Sequence, residues 1–125
     1  MQAVKYAAQN YYFRKVARYL QPKEYRRVKE IRSRTGPQIS VPELLYLRWG
    51  VRTFRPRTVV EIGSFNGAST SLMADQLRQL DTGKIYAIDI QKHAVNLIKS
   101  KAKLEHLLNI DYVWADLEAP AGSKL

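Results

Sequence analysis

The sequence predicts an α/β protein in which basic N-terminal helices precede three parallel strands, the βαβαβ half of a doubly wound fold. After position 57, short β-branched runs alternate with helical patterns in units of about 30 residues. Such alternation favours a parallel sheet whose strands are joined by right-handed helical crossovers. Before that position, apolar residues recur at helical spacing. We therefore expect a basic helical region over residues 1–57 and an α/β half domain over residues 58–125.

The composition is that of a globular protein and excludes several classes. Hydrophobic residues make up 46% and charged residues 26% of the 125 residues, which argues against a disordered or fibrous chain. There is no cysteine, so disulfides, zinc–thiolate sites, cysteine nucleophiles and iron–sulfur clusters are excluded. The N-terminus lacks the apolar core of a signal peptide, and no stretch is apolar enough to span a membrane. We expect a cytoplasmic protein.

The net charge of +10 lies in the first half of the chain. Residues 1–60 hold 14 Lys and Arg against 3 Asp and Glu, whereas residues 61–125 hold 7 against 8. Tyrosines are interleaved with the basic residues over residues 1–35, which fits binding to nucleic acid, to an acidic surface or to anionic lipid. The pattern fits solvated helix faces as well. Residues 1–35 are therefore expected either to recognise an anionic partner or to dock on the core.

Helical spacing predicts three helices in the N-terminal region, over residues 3–20, 23–34 and 43–53. Ser40 and Glu43 form a Ser-x-x-Glu capping box at the start of the third helix. The residues expected to be buried on that helix are Leu44, Leu45, Leu47 and Trp49.

The second half contains three short runs typical of strands. The first of them is rich in β-branched residues and indicates a buried strand. Apolar residues at helical spacing follow the first and second runs. The predicted elements are strands over residues 58–62, 84–90 and 110–115 and helices over residues 68–80 and 91–108.

Glycine and acidic residues fall where the strands end, which is where ligands of such sheets bind. Gly63 allows a tight turn after the first strand. Gly67 lets a ligand approach the start of the next helix, whose N–H groups favour an anion. Asp89 ends the second strand, where it can accept both hydroxyls of a ribose, and Asp116 follows the third, where it can accept an adenine amino group. Together these residues outline a site for a nucleoside with a charged tail.

The residue at position 65 favours one class of nucleoside over another. A dinucleotide fingerprint, G-x-G-x-x-G/A, needs glycine there, and this chain has Phe65. S-adenosylmethionine (SAM) has no pyrophosphate and tolerates the bulkier residue. Each site residue also has a structural explanation: the two glycines fit turns, and the two aspartates fit a helix N-cap and an exposed turn. Binding of NAD or ATP therefore stays open beside binding of SAM.

The run VVEIGSFNGAST resembles motif I of class I SAM-dependent methyltransferases, closest to the branch of catechol and caffeoyl-CoA O-methyltransferases. IYAIDI resembles the second-strand motif of that family, and the capping-box helix resembles the helix before its first strand. The resemblance covers roughly residues 38–117 and implies a Rossmann-like fold and SAM-dependent methyl transfer, to the oxygen of a small molecule. Phe65 stands where the catechol enzyme has a tyrosine, so a hydroxyl contact is lost.

The resemblance also implies roles for individual residues. Glu61, Gly63 and Gly67 would shape the methionine end of the site, Ser69 would bond the SAM carboxylate, and Asp89 would bind the ribose. The predicted cofactor-binding residues are Glu61, Gly63, Ser64, Phe65, Gly67, Ser69, Asp89, Ile90 and Asp116.

Compared with that family, the chain is expected to be incomplete as a methyltransferase. The resembled fold has seven strands, and its fourth pairs with the first, so we expect an unpaired edge over residues 58–62. The metal ligands and acceptor-binding segments of the O-methyltransferase branch come after the fourth strand, so no catalytic or metal residue is assigned. His93 and His106 lie about 140° apart around one predicted helix and cannot form a local metal pair.

Two functions follow from these patterns. The first is the SAM-binding portion of a methyltransferase that acts on a small molecule. The second is a non-catalytic nucleotide-binding module, or a basic module that interacts with nucleic acid. Either the chain is an N-terminal half, or the open edge is covered by the basic helices or by a second copy in a homo-oligomer.

Overall fold

The computed structural model describes residues 2–36, 38–92, 94–96, 99–100 and 107–115. It shows helices first and one parallel sheet after them, as predicted. Half of the helix predicted over residues 91–108 falls outside the described residues. Residues 92, 94–96 and 99–100 are helical, with Ala94 and Val95 buried, whereas residues 107–108 are not helical, so the predicted end is too late. In chain order the elements are α1 (Gln2–Leu20), α2 (Pro22–Thr35), α3 (Val41–Phe54), β1 (Thr58–Ile62), α4 (Ala68–Gln79), β2 (Lys84–Asp89) and β3 (Ile110–Trp114).

The strands form one sheet in the order β1-β2-β3, and both pairs are parallel. β2 is central, and β1 is an edge strand within the described part of the chain. Among the described elements, no strand pairs with β1 on the side away from β2. Parallel strands end on the same side of a sheet, so the loop after β1 and the end of β2 meet.

The interpretation of β1 as a buried strand is wrong. The side chains of Val60 and Ile62 are 59% and 68% exposed, while Val59 on the opposite face packs against the core. β1 has a strand neighbour on one side only, and the described elements leave the Val60 face of the sheet uncovered. Apolar side chains of a kind usually buried are therefore open to solvent there.

Two hydrophobic clusters hold the helices to the sheet and to each other. One lies between α4 and the sheet, and the other joins α2, α3 and the start of α4. α2 is thus docked on the core, which is one of the two roles expected for residues 1–35. Among the described residues, no helix is both long and apolar enough to cross a membrane. The buried members of the first cluster are Val51, Met73, Ala74, Leu77, Ile85, Ala87, Leu107 and Ile110, and those of the second are Val28, Ile31, Val41, Leu44 and Leu72.

α3 begins with the predicted capping box. The Ser40 hydroxyl accepts a hydrogen bond from the Glu43 amide at 3.4 Å, and the Glu43 carboxylate accepts one from the Ser40 amide at 2.9 Å. Hydrogen bonds from the Ser40 hydroxyl and amide lower the pKa of Glu43. Both ends of the pair satisfy donors that the first helical turn leaves unpaired.

The buried stripe of α3 differs from the predicted one. Leu44 is fully buried and Leu45 is half-buried, but Leu47 and Trp49 are exposed, so their predicted burial is wrong. The helix turns a different set of residues toward the core, at spacings of three and four. Its buried residues are Val41, Leu44, Arg48 and Val51.

Candidate functional site

The candidate site lies at the carboxyl ends of β1 and β2, around the loop of residues 63–67 that leads into α4. The Gly63 amide donates to the Ile88 carbonyl at 2.9 Å, which ties the start of the loop to β2. Gly63 and Gly67 have φ angles of 77° and 79°, a left-handed conformation that glycine adopts without strain. The turn therefore favours glycine at both positions.

Gly63 also leaves space above the loop. A Cβ atom placed on Gly63 would have no atom within 4 Å. The backbone is thus accessible from the side where another residue would carry a side chain. This space fits the close approach of a ligand that the sequence predicts for Gly63.

Phe65 adopts a left-handed conformation without being glycine. Its φ angle is 42°, which costs an ordinary residue on the order of 1–2 kcal/mol. The Phe65 amide donates to Asp89 Oδ2 at 2.8 Å, and this bond holds the strained residue in place. The ring is exposed at the rim of the loop. Strain that the surrounding structure maintains in this way is found mainly at functional sites.

Asp89 is buried and fixed at the end of β2. Its Oδ1 atom accepts a hydrogen bond from the Gln91 amide at 2.8 Å, and its Oδ2 atom accepts the one from Phe65. Each carboxylate oxygen keeps a second lone pair. The group that holds the loop therefore remains able to accept hydroxyl hydrogen bonds as well.

The start of α4 presents backbone amides next to this carboxylate. Gly67 is the N-cap residue and provides no side-chain cap. The Ala68 amide donates to Asn66 Oδ1 at 3.3 Å. The amides of Ser69 and Thr70 belong to the first turn and have no intrahelical acceptor, but Thr70 is fully buried, so the part-exposed Ser69 is the one of the two that can present its amide to a ligand. A helix start of this kind favours a bound anion.

Glu61 connects β1 to the same helix. Its carboxylate accepts hydrogen bonds from the hydroxyls of Ser69 and Thr70. The Ser69 hydroxyl is therefore engaged within the chain. To donate to a bound carboxylate, it would have to turn away from Glu61.

The remaining predicted site residues differ in position. The Ser64 hydroxyl is turned toward β2 and donates to the Ile88 carbonyl at 3.3 Å. Asp116 lies outside the described residues, as do both histidines. Within the ranges that the structure describes, no three His, Asp or Glu side chains are grouped to hold a metal ion.

Ile90 and Trp114 join the ends of β2 and β3. The Trp114 indole donates to the Ile90 carbonyl at 2.7 Å, and the Lys92 ammonium lies 5.4 Å from the indole ring centre. The Ile90 side chain is exposed beside this contact. Sequence reasoning missed Trp114, although its place at the end of a predicted strand was a usable signal.

Sequence reasoning also missed Asn66 and Gln38. The Asn66 side-chain amide donates to Gln38 Oε1, so the segment before α3 is bonded to the loop after β1. Asparagine next to a helix start is a known capping residue, which was a usable signal for Asn66. Nothing in the local pattern pointed to Gln38.

Comparison with known proteins identifies the family. The family model described as "Methyltransferase domain" matches residues 60–122, about half of the chain. The chain belongs to this methyltransferase family. The resemblance read from motif I is thereby confirmed. No curated protein matches the chain.

Solved methyltransferase structures share the fold. A Klebsiella pneumoniae protein described as an O-methyltransferase aligns with a TM-score of 0.64 and 22% identity, over 87% of this chain and 50% of its own. The SAH-bound methyltransferase PaMTH1 of Podospora anserina aligns with a TM-score of 0.63 and 12% identity, over 92% of this chain and 49% of its own. The O-methyltransferase TomG of Streptomyces achromogenes, which is involved in tomaymycin synthesis, was solved in complex with SAM. It aligns with a TM-score of 0.62 and 17% identity, over 93% of this chain and 56% of its own. The chain spans about half the length of these proteins, and its predicted Rossmann-like fold is confirmed.

Proposed function

We propose that the chain is the SAM-binding portion of a methyltransferase that transfers a methyl group from SAM to an oxygen of a small molecule. The observation that carries this proposal is the placement of three features at one edge of the sheet. They are the open backbone at Gly63, the fixed carboxylate of Asp89 and the part-exposed Ser69 at the start of α4, whose amide has no intrahelical acceptor. Family membership and the SAM-bound and SAH-bound neighbours support it.

The residues present fit the parts of such a donor. The first-turn amides of α4 suit its carboxylate, and Asp89 suits its ribose hydroxyls. Phe65 and Ile90 offer exposed apolar surface at the rim, and a contact between Asp116 and adenine stays a prediction. When bound, SAM supplies an electrophilic methyl group. The chain's own residues bind and orient the donor, and no catalytic base is assigned.

Calorimetric titration of the chain with SAM, SAH, NAD and ATP tests the proposal. SAM and SAH should bind, and NAD and ATP should not. Asp89→Ala should weaken SAM binding about tenfold or more, because hydrogen bonds to a charged group contribute about 1.5–3 kcal/mol. Asp111→Ala is the matched control, because that carboxylate bonds Lys84 near the opposite end of the sheet. Equal SAM affinity in the wild type and a folded Asp89→Ala variant would remove Asp89 from the site.

Several broader expectations remain part of this proposal. They are a small-molecule methyl acceptor, a cytoplasmic location, the division into regions 1–57 and 58–125, and a homo-oligomer that covers the open edge. The cysteine-free composition is compatible with a reducing compartment, and the exposed β1 edge favours an added strand.

A second candidate function is binding of the basic helices to an anionic polymer such as nucleic acid. Arg18 and Lys23 are exposed at the junction of α1 and α2 and have no carboxylate partner among the described residues. Exposed cations of this kind are available for phosphate contacts. This function is compatible with SAM binding, because the two sets of residues lie on different elements.

A further inference from the structure

The loop that leads into α4 is held by two side-chain amides as well as by Asp89. Asn66 is 8% exposed. Its Nδ2 group donates to Gln38 Oε1, and its Oδ1 atom accepts from the Ala68 amide. One side chain therefore bonds both the first helical residue of α4 and the segment before α3.

Gly36 provides the room for this amide pair. A Cβ atom on Gly36 would lie 2.6 Å from Gln38 Oε1 and 2.7 Å from Asn66 Nδ2. The φ angle of Gly36 is 115°, which a residue with a side chain rarely adopts. Three residues from two distant parts of the sequence thus converge on one hydrogen bond.

The loop needs such support because Phe65 is strained. The Asp89 carboxylate fixes the Phe65 amide, and its side-chain hydrogen bonds among the described residues do not reach the start of α4. The amide pair fixes the next residue, Asn66. Because Asn66 also accepts from the Ala68 amide, the first turn of α4 is tied to this pair.

We propose that Asn66 and Gln38 are positioning residues that aim the Ser69 amide, in the first turn of α4, at the carboxylate of the bound donor. This inference rests on the proposed function. Neither residue touches the donor, and each acts through the orientation of the helix start. The predicted consequence is selective. Loss of the pair weakens binding of ligands that carry the amino-acid tail and spares ligands that lack it.

The experiment compares two ligands by calorimetry. SAH carries the amino-acid carboxylate, whereas 5′-methylthioadenosine has the same nucleoside and thioether without it. Gln38→Ala should weaken SAH binding about three- to tenfold, the range expected for one neutral hydrogen bond. Asn66→Ala should weaken it at least as much, because it also removes the bond to the Ala68 amide. Binding of 5′-methylthioadenosine should change less than twofold. The double variant should be no weaker than Asn66→Ala alone, because both changes remove the same bond.

Asn109→Ala is the matched control, because Asn109 also donates a side-chain amide bond, to the Ala74 carbonyl at 3.0 Å, before β3. It should leave the ratio of the two affinities unchanged. If Asn66→Ala does not fold, as judged by circular dichroism, Gln38→Ala alone tests the positioning role, because Gln38 is exposed and its replacement should not disturb the core. Equal weakening of both ligands, or no weakening of SAH, overturns the positioning role. A wild-type chain that binds neither ligand would instead refute the proposed function itself.

Discussion

Arg48 on α3 donates a hydrogen bond to Asp75 on α4 at 2.9 Å, and the two side chains are only 3% and 1% exposed. The same carboxylate accepts hydrogen bonds from Arg27 on α2, at 2.7 and 3.2 Å, and from Arg78 at 2.8 Å. One buried aspartate therefore joins three helices. The basic N-terminal region is held to the core by charge as well as by apolar packing.

We expect Arg48→Ala to lower the free energy of unfolding by about 3 kcal/mol or more. The change empties a buried position and removes the hydrogen bonds of a buried guanidinium to Asp75, Glu24 and Gln79. Asp75 keeps Arg27 and Arg78 but loses the most deeply buried of its three cations, and loss of a partner from a buried ion pair is costly. Urea unfolding at pH 7, followed by circular dichroism, measures the effect. Arg52→Ala is the control, because Arg52 bonds Glu24 with its own side chain half exposed, and it should cost less than about 1 kcal/mol.

Stability should fall in acid because of Asp75. Burial alone would raise the pKa of this carboxyl, but hydrogen bonds from Arg27, Arg78 and Arg48 outweigh it and lower the pKa from 3.8 to about 2. The unfolded chain therefore takes up the proton at higher pH than the folded one. The contribution is fully present above about pH 5 and is lost as the pH falls through 2, a change of about 2 kcal/mol.

Unfolding by urea at several pH values between 2 and 7 checks this prediction. Asp75→Asn should be less stable at pH 7, and its stability should depend less on pH than that of the wild type. Identical slopes in the wild type and in Asp75→Asn would show that Asp75 does not titrate as described.

Features with local causes could be predicted from the sequence. The capping box at Ser40 needs only residues three apart, and the turn glycine at Gly63 needs only the conformation of one residue. The order of strands and helices follows from patterns a few residues long. The family and the fold could be recognised because motif I combines such local features.

Features that depend on distant partners could not be predicted. Arg48 is buried because Glu24 and Asp75, 24 and 27 residues away, neutralise it. The apolar pattern of α3 therefore predicted that Leu47 is buried, but Arg48 is buried instead. The bond between Gln38 and Asn66 likewise spans 28 residues. The exposure of Val60 depends on which elements cover the sheet. The residues of β1 itself do not indicate whether that face is covered.

The open β1 edge should cause self-association of the isolated chain. Backbone bonds to β2 involve the Arg57 carbonyl and the Gly63 amide, so the groups of the even-numbered residues of β1 point away from β2. With Val60 and Ile62 exposed beside them, this edge favours pairing with another strand. Sedimentation velocity over a range of concentrations measures the association.

Val60→Lys should shift the chain toward monomer, because a lysine on an edge opposes strand pairing. Tyr46→Lys replaces an equally exposed apolar residue on α3 and serves as the control. Monomeric wild-type protein at every concentration would contradict the prediction.

Binding of the basic helices to nucleic acid should depend steeply on salt. Each neutralised phosphate releases counterions, so the logarithm of the affinity falls linearly with the logarithm of the salt concentration. In anisotropy titrations of a labelled single-stranded oligonucleotide, the double change Arg18→Ala and Lys23→Ala should make that slope shallower by about 1.4, or about 0.7 for each lost phosphate contact. A flat response to salt, or no binding at low salt, would favour docking as the only role of residues 1–35.

Alanine at two glycines of opposite conformation should change stability in opposite directions. Gly50 lies inside α3, where a Cβ atom would meet nothing within 4 Å, so Gly50→Ala should raise the free energy of unfolding by about 0.5–1 kcal/mol. Gly63→Ala should lower it by about 1–2 kcal/mol, because the φ angle of 77° strains a residue with a side chain. The space above Gly63 is open within the chain, so backbone strain is the only cost of the Gly63→Ala change to folding.

A ligand that uses this space would meet the added methyl group, so SAM affinity should fall for Gly63→Ala and stay unchanged for Gly50→Ala. Unfolding and calorimetric titration of the two variants measure both effects, and unchanged SAM affinity in a folded Gly63→Ala variant would place the ligand elsewhere.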